Sequence, residues 1–531
     1  MPTLHWIGKD KVINHHQDVP YKVLDKKYTY KNGEESQETF SENKIIHGDN
    51  LEALKSLLPE YEGKIKCIYI DPPYNTGNEN WVYNDNVNDP KIKKWLGQVV
   101  GKESEDLSRH DKWLCMMYPR LKLLHKLLAD DGAIFISIDD NEQANLKLVC
   151  DEIFGGVNLV SSLVWKKKAG GGADARFFAN DHEYILCYCK NIKSQKRYFV
   201  EVSDKLRNDY KFKDDNFSKF GAYKRKNLHQ TGIDSNRPNL RYEIMMPDGT
   251  LLLPPTIWRW GKEKFDIENA EGKIDFEKNK KGEWQVYTKM YQYSDHGEEY
   301  KTKPRSLLLD NGLTRDGNLE LKEIFKTSPF DYPKPSKLIF YLLSIITEKN
   351  SIILDSFAGS GTTAHAVLNL NKQDGGNRKF ILIEMEDYAN TITAERVKRV
   401  INGYGEGTKT VEGTGGDFSF YQLGQPIFLE QDILNEEIGI EKIQEYVWYT
   451  ETKESFVPQE ESFFLGKKED TAYYFYYQKD SITTLDEKFL RTLKTKAKGY
   501  IIYADNCLLT KELMQKYNII FKKIPRDITR F

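Results

Sequence analysis

The feature that most constrains this chain is an apolar run, Ile65–Ile70, that stops at two consecutive prolines. A short run rich in β-branched and aromatic residues is typical of a buried strand. Pro72 and Pro73 have no N–H with which to extend a ladder, so the predicted strand ends there. The residue before a proline favours extended backbone, which projects Asp71 beyond the carboxyl end of the strand. Ligands bind at that edge of open α/β sheets.

Asp71, Pro72 and Tyr74 together suit one chemistry. An exocyclic amine on a nucleobase is a poor nucleophile, because its lone pair is delocalised into the ring. A carboxylate and a carbonyl that accept its hydrogens would favour a localised lone pair, and Tyr74 would stack on a base extruded from a duplex. The alternative is structural, with Asp71 as the solvated cap of a Pro-Pro turn. Four-residue matches arise by chance, so the motif needs a second anchor.

That anchor lies in the second half of the chain. Residues 351–355 predict a strand, residues 356–363 a glycine turn and residues 364–368 a helix. A glycine turn lets the backbone approach a ligand and exposes the N–H groups of the helix start. The next predicted strand, 379–383, ends in Glu384, where an acid that binds ribose hydroxyls lies in such folds.

The segments DPPYNTG and DSFAGSGTT resemble the motif pair of S-adenosylmethionine-dependent amino-methyltransferases that act on DNA. Because DPPY precedes the cofactor motif, the order resembles the permuted β group. The flanking segments HGDNLEAL, DDGAIFISIDD and FDYPKPSKL are most similar to Mod subunits of type III restriction–modification systems and their type II relatives. DPPY implies the N6 amine of adenine, whereas SPPY would imply the N4 amine of cytosine.

The resemblance implies a Rossmann-like α/β fold with a mixed, mostly parallel sheet, which alternating strands and helices also favour. It implies a site-specific adenine methyltransferase that uses S-adenosylmethionine, flips its base out of double-stranded DNA and serves as the modification subunit of a restriction–modification system. A stand-alone or type II enzyme is the alternative. The implied partners are DNA, a second copy in a homodimer and a separate restriction subunit. No G-x-x-x-x-G-K-S/T loop is present, so helicase-like cutting would need another chain.

The resemblance and the residues together assign catalysis to Asp71, Pro72, Pro73 and Tyr74. We expect no metal, since a methyl group on a positive sulfur is already activated. Asp49 and Asn50 are expected beside the cofactor's adenine, although Asp49 also suits a helix cap and both roles could hold together. Lys337 is expected at the cofactor, or else as an exposed first-turn residue after an N-cap at Ser336. The expected cofactor-binding residues are Asp49, Asn50, Lys337, Asp355, Phe357, Ala358, Gly359, Ser360, Gly361, Thr362, Thr363 and Glu384.

Composition shifts suggest a modular chain. Lys, Arg, Tyr, Phe and Trp interleave in the predicted target-recognition domain, which suits contacts to phosphates and bases. Trp258 and Trp260 fit either such contacts or a strand whose tryptophans pack inward. The small C-terminal α/β domain shows no catalytic pattern, and the resemblance implies either subunit association or contact with a restriction partner for it. The expected segments are an N-terminal arm (1–43), the first part of the methyltransferase domain (44–189), the target-recognition domain (190–330), the second part (331–404) and the C-terminal domain (417–531).

Two segments read as loops. Residues 78–111 read as a long structureless stretch that folds over the flipped base. The basic segment Lys166–Lys168, followed by three glycines, suits either phosphate tracking or a solvated loop.

Bulk composition narrows the function classes. The net charge is −2 and the pI about 6.6, so DNA binding needs positive charge concentrated in a cleft. No segment predicts a membrane span or signal peptide, so we expect a cytoplasmic protein. The six cysteines include no CxxC pair. Cys187 and Cys189 share one strand face, and buried thiols are expected there rather than a metal site.

Two interpretations from other classes compete. A nicotinamide-dependent dehydrogenase would use Gly359, Gly361 and Ala364 as its dinucleotide fingerprint, but DPPY would then have no role. A non-catalytic, sequence-reading DNA subunit is the other, and intact DPPY and cofactor glycines argue against it.

Overall fold

The computed structural model describes residues 3–76, 90–101, 108–170, 175–230, 237–429 and 433–530. The chain divides into two compact units. Unit 1 comprises Met1–Arg197 and Arg305–Phe531, and unit 2 is the insert Tyr198–Pro304.

The strands are numbered in chain order. They are β1 (Lys22–Lys31), β2 (Glu34–Ser36), β3 (Lys44–His47), β4 (Ile65–Ile70), β5 (Leu128–Ile138), β6 (Leu159–Lys166), β7 (His182–Cys189), β8 (Tyr223–Asn227), β9 (His229–Gln230), β10 (Ile244–Met245), β11 (Leu251–Leu252), β12 (Ile257–Trp258), β13 (Ile274–Lys278), β14 (Trp284–Tyr291), β15 (Leu307–Leu308), β16 (Ile352–Asp355), β17 (Lys379–Glu384), β18 (Gly403–Tyr404), β19 (Val411–Glu412), β20 (Asp417–Pro426), β21 (Phe464–Lys468), β22 (Thr471–Phe475), β23 (Thr484–Leu485), β24 (Gly499–Ala504), β25 (Asn506–Cys507) and β26 (Ile519–Lys523).

The helices are numbered in the same way. They are α1 (Lys9–Val12), α2 (His15–Asp18), α3 (Asn50–Tyr61), α4 (Pro90–Val99), α5 (Arg109–Leu127), α6 (Gln143–Cys150), α7 (Asp204–Arg207), α8 (Phe217–Phe220), α9 (Lys262–Ala270), α10 (Thr314–Phe325), α11 (Ser336–Ile346), α12 (Thr362–Asp374), α13 (Glu395–Asn402), α14 (Ile440–Thr452), α15 (Glu487–Leu490) and α16 (Lys511–Lys516).

Unit 1 is organised around an eleven-stranded sheet of order β15-β6-β7-β5-β4-β16-β17-β3-β20-β1-β2. The central pairs, from β5 through β4, β16, β17 and β3 to β20, are parallel, and the pairs of β7 with β5 and β6 and of β1 with β20 and β2 are antiparallel. Helices occupy the crossovers, as parallel strands require. The architecture is Rossmann-like, and the prediction of a mixed, mostly parallel sheet is confirmed.

The pairing of β4 with β16 brings the two sequence anchors together. Ile353 lies opposite Cys67 and Leu354 opposite Ile68 in a parallel register. All four side chains are fully buried. Parallel neighbours end at the same edge of a sheet, so Asp71 and the glycine turn leave the sheet side by side.

Unit 2 has a three-stranded antiparallel sheet of order β13-β14-β8 and its own apolar core. Trp258 is only 2 % exposed within that core, and its indole N–H donates to the Tyr242 carbonyl at 2.8 Å. Arg259 is exposed and Trp260 is half-buried. The inward-packing interpretation is therefore confirmed for Trp258.

Several boundaries differ from the expected ones. The N-terminal arm was expected to be irregular, yet β1 joins the large sheet, because it pairs along its length with β20. Likewise β20 belongs to this sheet, although position 417 was expected to begin a separate domain. Residues 305–330, expected in the insert, belong to unit 1 and include α10. The stretch 78–111 was predicted to be structureless, which is wrong for α4 and for the first residues of α5; its parts at 78–89 and 102–107 lie outside the described residues.

The C-terminal residues form a small sheet of order β21-β22-β24-β26 with α14 and α16, in agreement with the predicted α/β character of this segment. Within unit 1, Tyr449 of α14 joins the main apolar core, and its hydroxyl donates to Glu62.

Within the part of the chain that the structure describes, no helix has the length and apolarity needed to cross a membrane. Among the same residues, no group of three or more His, Cys, Asp or Glu side chains could hold a metal ion. All six cysteines are free thiols, and all except Cys507 are buried.

Candidate active site

The DPPY segment forms a rigid turn at the carboxyl end of β4. Pro72, Pro73 and Tyr74 are buried, whereas Asp71 keeps about a quarter of its side chain exposed. The Pro73 carbonyl accepts a hydrogen bond from the indole N–H of Trp113 in α5 at 2.6 Å. Because the prolines restrict φ and Trp113 anchors the turn, the backbone fixes the direction in which Asp71 leaves the strand.

A lysine that the sequence analysis missed binds the Asp71 carboxylate. Lys334 Nζ donates to both carboxylate oxygens, at 2.9 and 2.8 Å, and to the Tyr74 hydroxyl at 2.9 Å. The Tyr74 hydroxyl donates to Asp71 Oδ1 at 2.8 Å. The same ammonium lies 4.9 Å from the centroid of the Tyr74 ring, within the range of a cation–π contact. The expectation that Tyr74 stacks on a base stays a proposal; in this structure its ring is 9 % exposed.

A second carboxylate completes the cluster. Glu183, at the start of β7, lies 3.4 Å from Lys334 Nζ and accepts a hydrogen bond from the Tyr74 hydroxyl at 3.1 Å. Its other oxygen accepts from Lys167 at 3.2 Å. Two carboxylates therefore face two ammonium groups in a mostly buried cluster. Lys167 was expected in a solvated or phosphate-tracking loop; in the structure it pairs with Glu183.

The pKa values follow from burial and pairing. Burial opposes the charge on Lys334, but Asp71 and Glu183 outweigh it, so the pKa of Lys334 lies above its ordinary value. Burial likewise opposes the charge on Glu183, yet Lys334 and Lys167 hold the pKa of Glu183 below its ordinary value. Burial, with the neighbouring carboxylates, raises the pKa of the Tyr74 phenol well above 10, so it stays protonated.

The glycine turn comes directly after β16. Asp355 accepts from the backbone N–H of Phe357 at 3.0 Å and from the Thr363 hydroxyl at 2.5 Å, which closes the turn onto the first turn of α12. Gly359 and Gly361 have φ values of +52° and +82°, a region that side chains disfavour. A Cβ on Gly361 would lie 3.0 Å from the Thr393 carbonyl oxygen.

Glu384 lies at the end of β17, beside this turn. One carboxylate oxygen accepts from the backbone N–H of Gly359 at 2.8 Å, and the other accepts from that of Glu386 at 3.0 Å. Burial raises the pKa of Glu384 to about 7, against the partial compensation of these N–H groups. Burial also raises the pKa of Asp355 to about 7. A hydrogen bond donated to either carboxylate by a ligand would therefore lower its pKa and favour its ionised form.

Asp49 and Asn50 approach the turn from β3. Asp49 caps α3 by accepting from the N–H groups of Leu51 and Glu52, so the helix-cap role is confirmed. The buried Asn50 amide donates to the Ser356 carbonyl at 3.1 Å, which ties α3 to the turn. Arg120, 3.5 Å from Asp49, was not predicted.

A buried layer supports the turn from behind. Arg396 of α13 is fully buried and donates to the Ser360 and Thr362 hydroxyls at 2.9 and 2.8 Å. Its other nitrogen donates to Glu320 of α10 at 2.8 Å. The Thr362 hydroxyl in turn donates to the Lys334 carbonyl at 3.3 Å. The glycine turn and the segment that carries Lys334 are thus one hydrogen-bonded assembly.

Lys337 does not join either cluster in this structure. It is exposed at the start of α11 and lines a surface depression with Phe340, Asn369 and Lys372. Lys334 lies three residues earlier, before α11 begins, and reaches Asp71 instead. Its position between two prolines, and the single acid Glu183 in an otherwise apolar strand, were the sequence signals that could have found the pair.

Comparison with known proteins gives consistent matches. A family model described as DNA methylase matches residues 65–395. The chain is 34% identical over 436 residues to the type III restriction–modification enzyme EcoPI Mod subunit of Escherichia phage P1, covering 73% of this chain and 64% of that protein. It is 33% identical over 433 residues to the EcoP15I Mod subunit of Escherichia coli, covering 72% and 64%. It is 34% identical over 363 residues to the type II methyltransferase M.KpnI of Klebsiella pneumoniae, covering 64% and 80%.

The chain therefore spans less than two thirds of the length of these two Mod subunits. Among solved structures it is similar to a putative DNA modification methylase from Thermus thermophilus complexed with S-adenosyl-L-methionine. That match has 14% identity and a TM-score of 0.32, and covers 72% of this chain and 99% of the other.

The raised pKa of Glu384 makes a prediction for stability. Between about pH 4.5 and about pH 7 the folded chain holds a proton on Glu384 that the unfolded chain releases, so this residue's contribution to stability falls as pH rises through that window. Glu384→Gln removes this dependence. The melting temperature of the variant minus that of the wild type is expected to rise from pH 5 to pH 8. The exposed control Glu441→Gln should give a flat difference, and parallel curves for Glu384→Gln and the wild type would contradict the assignment.

Proposed function

The chain belongs to the DNA methylase family, and from this premise we propose that it transfers a methyl group from S-adenosylmethionine to the N6 amine of adenine in double-stranded DNA. The observation that carries the proposal is the parallel pairing of β4 with β16. It places a carboxylate, Asp71, beside a glycine turn of the kind that holds a cofactor at a helix start.

The residues of the turn fit S-adenosylmethionine. The buried Ser356 hydroxyl has no hydrogen-bond partner among the described residues and can receive one from a ligand. Glu384 would accept ribose hydroxyls, and Phe357, Ala358, Gly359, Ser360 and Gly361 would approach the methionine part. Asp49 and Asn50 would lie beside the adenine. When bound, the cofactor supplies a methyl group made electrophilic by its positive sulfur.

The chain's own residues orient the acceptor amine. With the adenine flipped out of the duplex, the Asp71 carboxylate and the Pro72 carbonyl accept the two amine hydrogens. The lone pair is then localised on the amine nitrogen instead of being delocalised into the ring. The Asp71 carboxylate would also receive the proton that the amine loses on methylation. Most of the acceleration comes from positioning the two reactants in a site that excludes water. An acid at position 71, where SPPY enzymes carry serine, favours adenine over cytosine as the target.

The relatives, which are named as type III Mod subunits and a type II methyltransferase, support a biological role in restriction–modification. We infer that the chain is the modification subunit of a restriction–modification system, acting in the cytoplasm as a homodimer beside a separate restriction subunit. A stand-alone enzyme of the type II kind is the alternative. Unit 2 has its own core and many exposed basic side chains, which supports its role as the target-recognition domain. Sequencing host DNA with a modification-sensitive method, with and without the protein, tests both the base and the recognised sequence.

Ligand-dependent melting separates this function from a dehydrogenase. A ligand that binds only the folded state raises the melting temperature. S-adenosylmethionine is expected to raise it, and NAD at the same concentration is expected to leave it unchanged. The reverse result would favour the dinucleotide interpretation. A shift with S-adenosylmethionine but no methylated DNA would favour the non-catalytic DNA subunit.

Asp71→Ala is expected to lower methyl transfer by at least about 100-fold, the size typical of losing a group that handles a proton in the transition state. Product is measured as N6-methyladenine in digested DNA by mass spectrometry. The Kd for S-adenosylmethionine should stay within about twofold, because Asp71 is not part of the glycine turn. Asp209→Ala, on an exposed residue of unit 2, serves as the control. Transfer at the wild-type rate by Asp71→Ala would show that the catalytic assignment is wrong.

Gly361→Ala is expected to raise the Kd for S-adenosylmethionine by about tenfold or more, equivalent to about 1.4 kcal/mol. The added Cβ meets the Thr393 carbonyl at 3.0 Å and displaces the turn. Gly375, at the other end of α12, is a matched control, since its φ is +65° and a Cβ there has open space. Gly375→Ala imposes similar backbone strain, but at a distance from the glycine turn. The Kd of this variant for S-adenosylmethionine should therefore equal that of the wild type. Equal losses in both variants would mean that strain alone acts.

A further inference from the structure

In this structure the Asp71 carboxylate, which would accept a hydrogen of the target amine in the proposed reaction, already accepts hydrogen bonds from another side chain. Both oxygens of Asp71 accept from Lys334 Nζ, at 2.9 and 2.8 Å. The Lys334 side chain is only 10% exposed, so little water competes with this contact. An amine that arrives at Asp71 must therefore share the carboxylate with an ammonium or displace it.

Displacing a buried ammonium is costly unless another anion receives it. Glu183 is that anion. Its Oε2 lies 3.4 Å from Lys334 Nζ, and its side chain is also 10% exposed. A shift of roughly 0.5 Å would bring this separation into the ordinary range of a charged hydrogen bond.

The Tyr74 hydroxyl links the two carboxylates. It lies 2.8 Å from Asp71 Oδ1 and 3.1 Å from Glu183 Oε2. A phenol carries one hydrogen, so it donates to one of the two at a time. When Lys334 moves toward Glu183, the hydroxyl can keep Asp71 as its acceptor, and neither carboxylate is left without a donor.

The backbone of Lys334 is held while its side chain is free to change partner. Pro333 and Pro335 flank the residue, and their rings fix the backbone φ on either side of it. The Lys334 carbonyl accepts from the Thr362 hydroxyl at 3.3 Å. The movement required is thus confined to a flexible side chain, which can rearrange faster than a loop or domain.

We propose that Glu183 is a positioning residue that takes Lys334 from Asp71 as the target amine arrives. Before that step Lys334 orients the Asp71 carboxylate by donating to both of its oxygens. After it, Asp71 accepts the amine, and Lys334 is neutralised by Glu183. Lys167, 3.2 Å from the other oxygen of Glu183, balances the charge of this second carboxylate. The inference rests on the proposed function, since it concerns the acceptor of that reaction.

A double-mutant cycle on Glu183 and Lys334 tests the hand-over. Glu183→Gln removes the receiving charge, so Lys334 stays on Asp71, and kcat is expected to fall at least tenfold. The Kd for S-adenosylmethionine, measured by calorimetry, should remain within twofold. Lys334→Met leaves the carboxylates of Asp71 and Glu183 without the cation between them, so its kcat should also be low. In Glu183→Gln/Lys334→Met the blocking cation and its acceptor are both gone, so kcat should exceed that of Glu183→Gln.

Lys9→Met is the matched control, because it removes a lysine of similar burial, 11% exposed, from its own carboxylate partner Glu152, at 2.7 Å and outside the cluster. Its kcat is expected to stay within about threefold of the wild type. If the loss of any buried lysine slowed the enzyme, Lys9→Met would be as damaging as Glu183→Gln, and if Glu183 and Lys334 acted independently, the losses of the two single variants would multiply in the double variant. Either result overturns the proposal, as does a Glu183→Gln enzyme with the wild-type kcat.

Melting temperatures show whether each variant folds. If Glu183→Gln does not fold, the kcat of Lys334→Met is compared with that of the double variant instead. The double variant should then be the faster, and the opposite order overturns the proposal. A wild-type chain that binds S-adenosylmethionine and methylates no DNA would overturn the proposed function and this inference together. An active wild type with multiplicative losses would overturn this inference alone.

Discussion

The parallel pairing of β4 with β16 is the contact on which the rest of this structure depends. Two segments that are far apart in the sequence meet there through fully buried Cys67, Ile68, Ile353 and Leu354. Because both strands run the same way, the residues after each strand leave the sheet at one edge. A proline-terminated strand delivers a carboxylate to that edge, and a glycine turn delivers backbone N–H groups. The proposed reaction needs both within one site.

Burying charge at such an edge requires compensation, and the chain provides it from several elements. Asp71 of the DPPY turn and Glu183 of β7 face Lys334 and Lys167, so the cluster pairs each acid with a base. An isolated buried carboxylate would take up a proton instead. A second network, of Arg396 with Glu320, supports the glycine turn from behind. Thr362 joins the two networks through the Lys334 carbonyl. The same contacts that stabilise the fold therefore also orient the groups proposed for the reaction.

The elements whose boundaries depend on local chemistry were predictable from the sequence. Prolines end β4, glycines with positive φ form the turn after β16, and Asp49 caps α3 with its own carboxylate. The strand β1 was missed because its exposed positions are polar and its apolar residues are few, so its place beside β20 depends on pairing rather than on its own pattern. The helix α4 was hidden in a polar stretch, where Trp95 packs against His15.

By itself, the sequence determined the class of fold, the two motifs and the chemistry that they suit, because periodicity, prolines and glycines act over a few residues. Only the tertiary structure decided which lysine of the Pro333–Lys337 segment reaches Asp71, since the direction of each side chain depends on how that segment docks against Thr362 and Glu320. It also decided that Glu183, whose place as the single acid of β7 was a sequence signal without a known partner, belongs to the site. Strands that are far apart in the sequence pair and bring such residues together, and no pattern over a few residues encodes that contact.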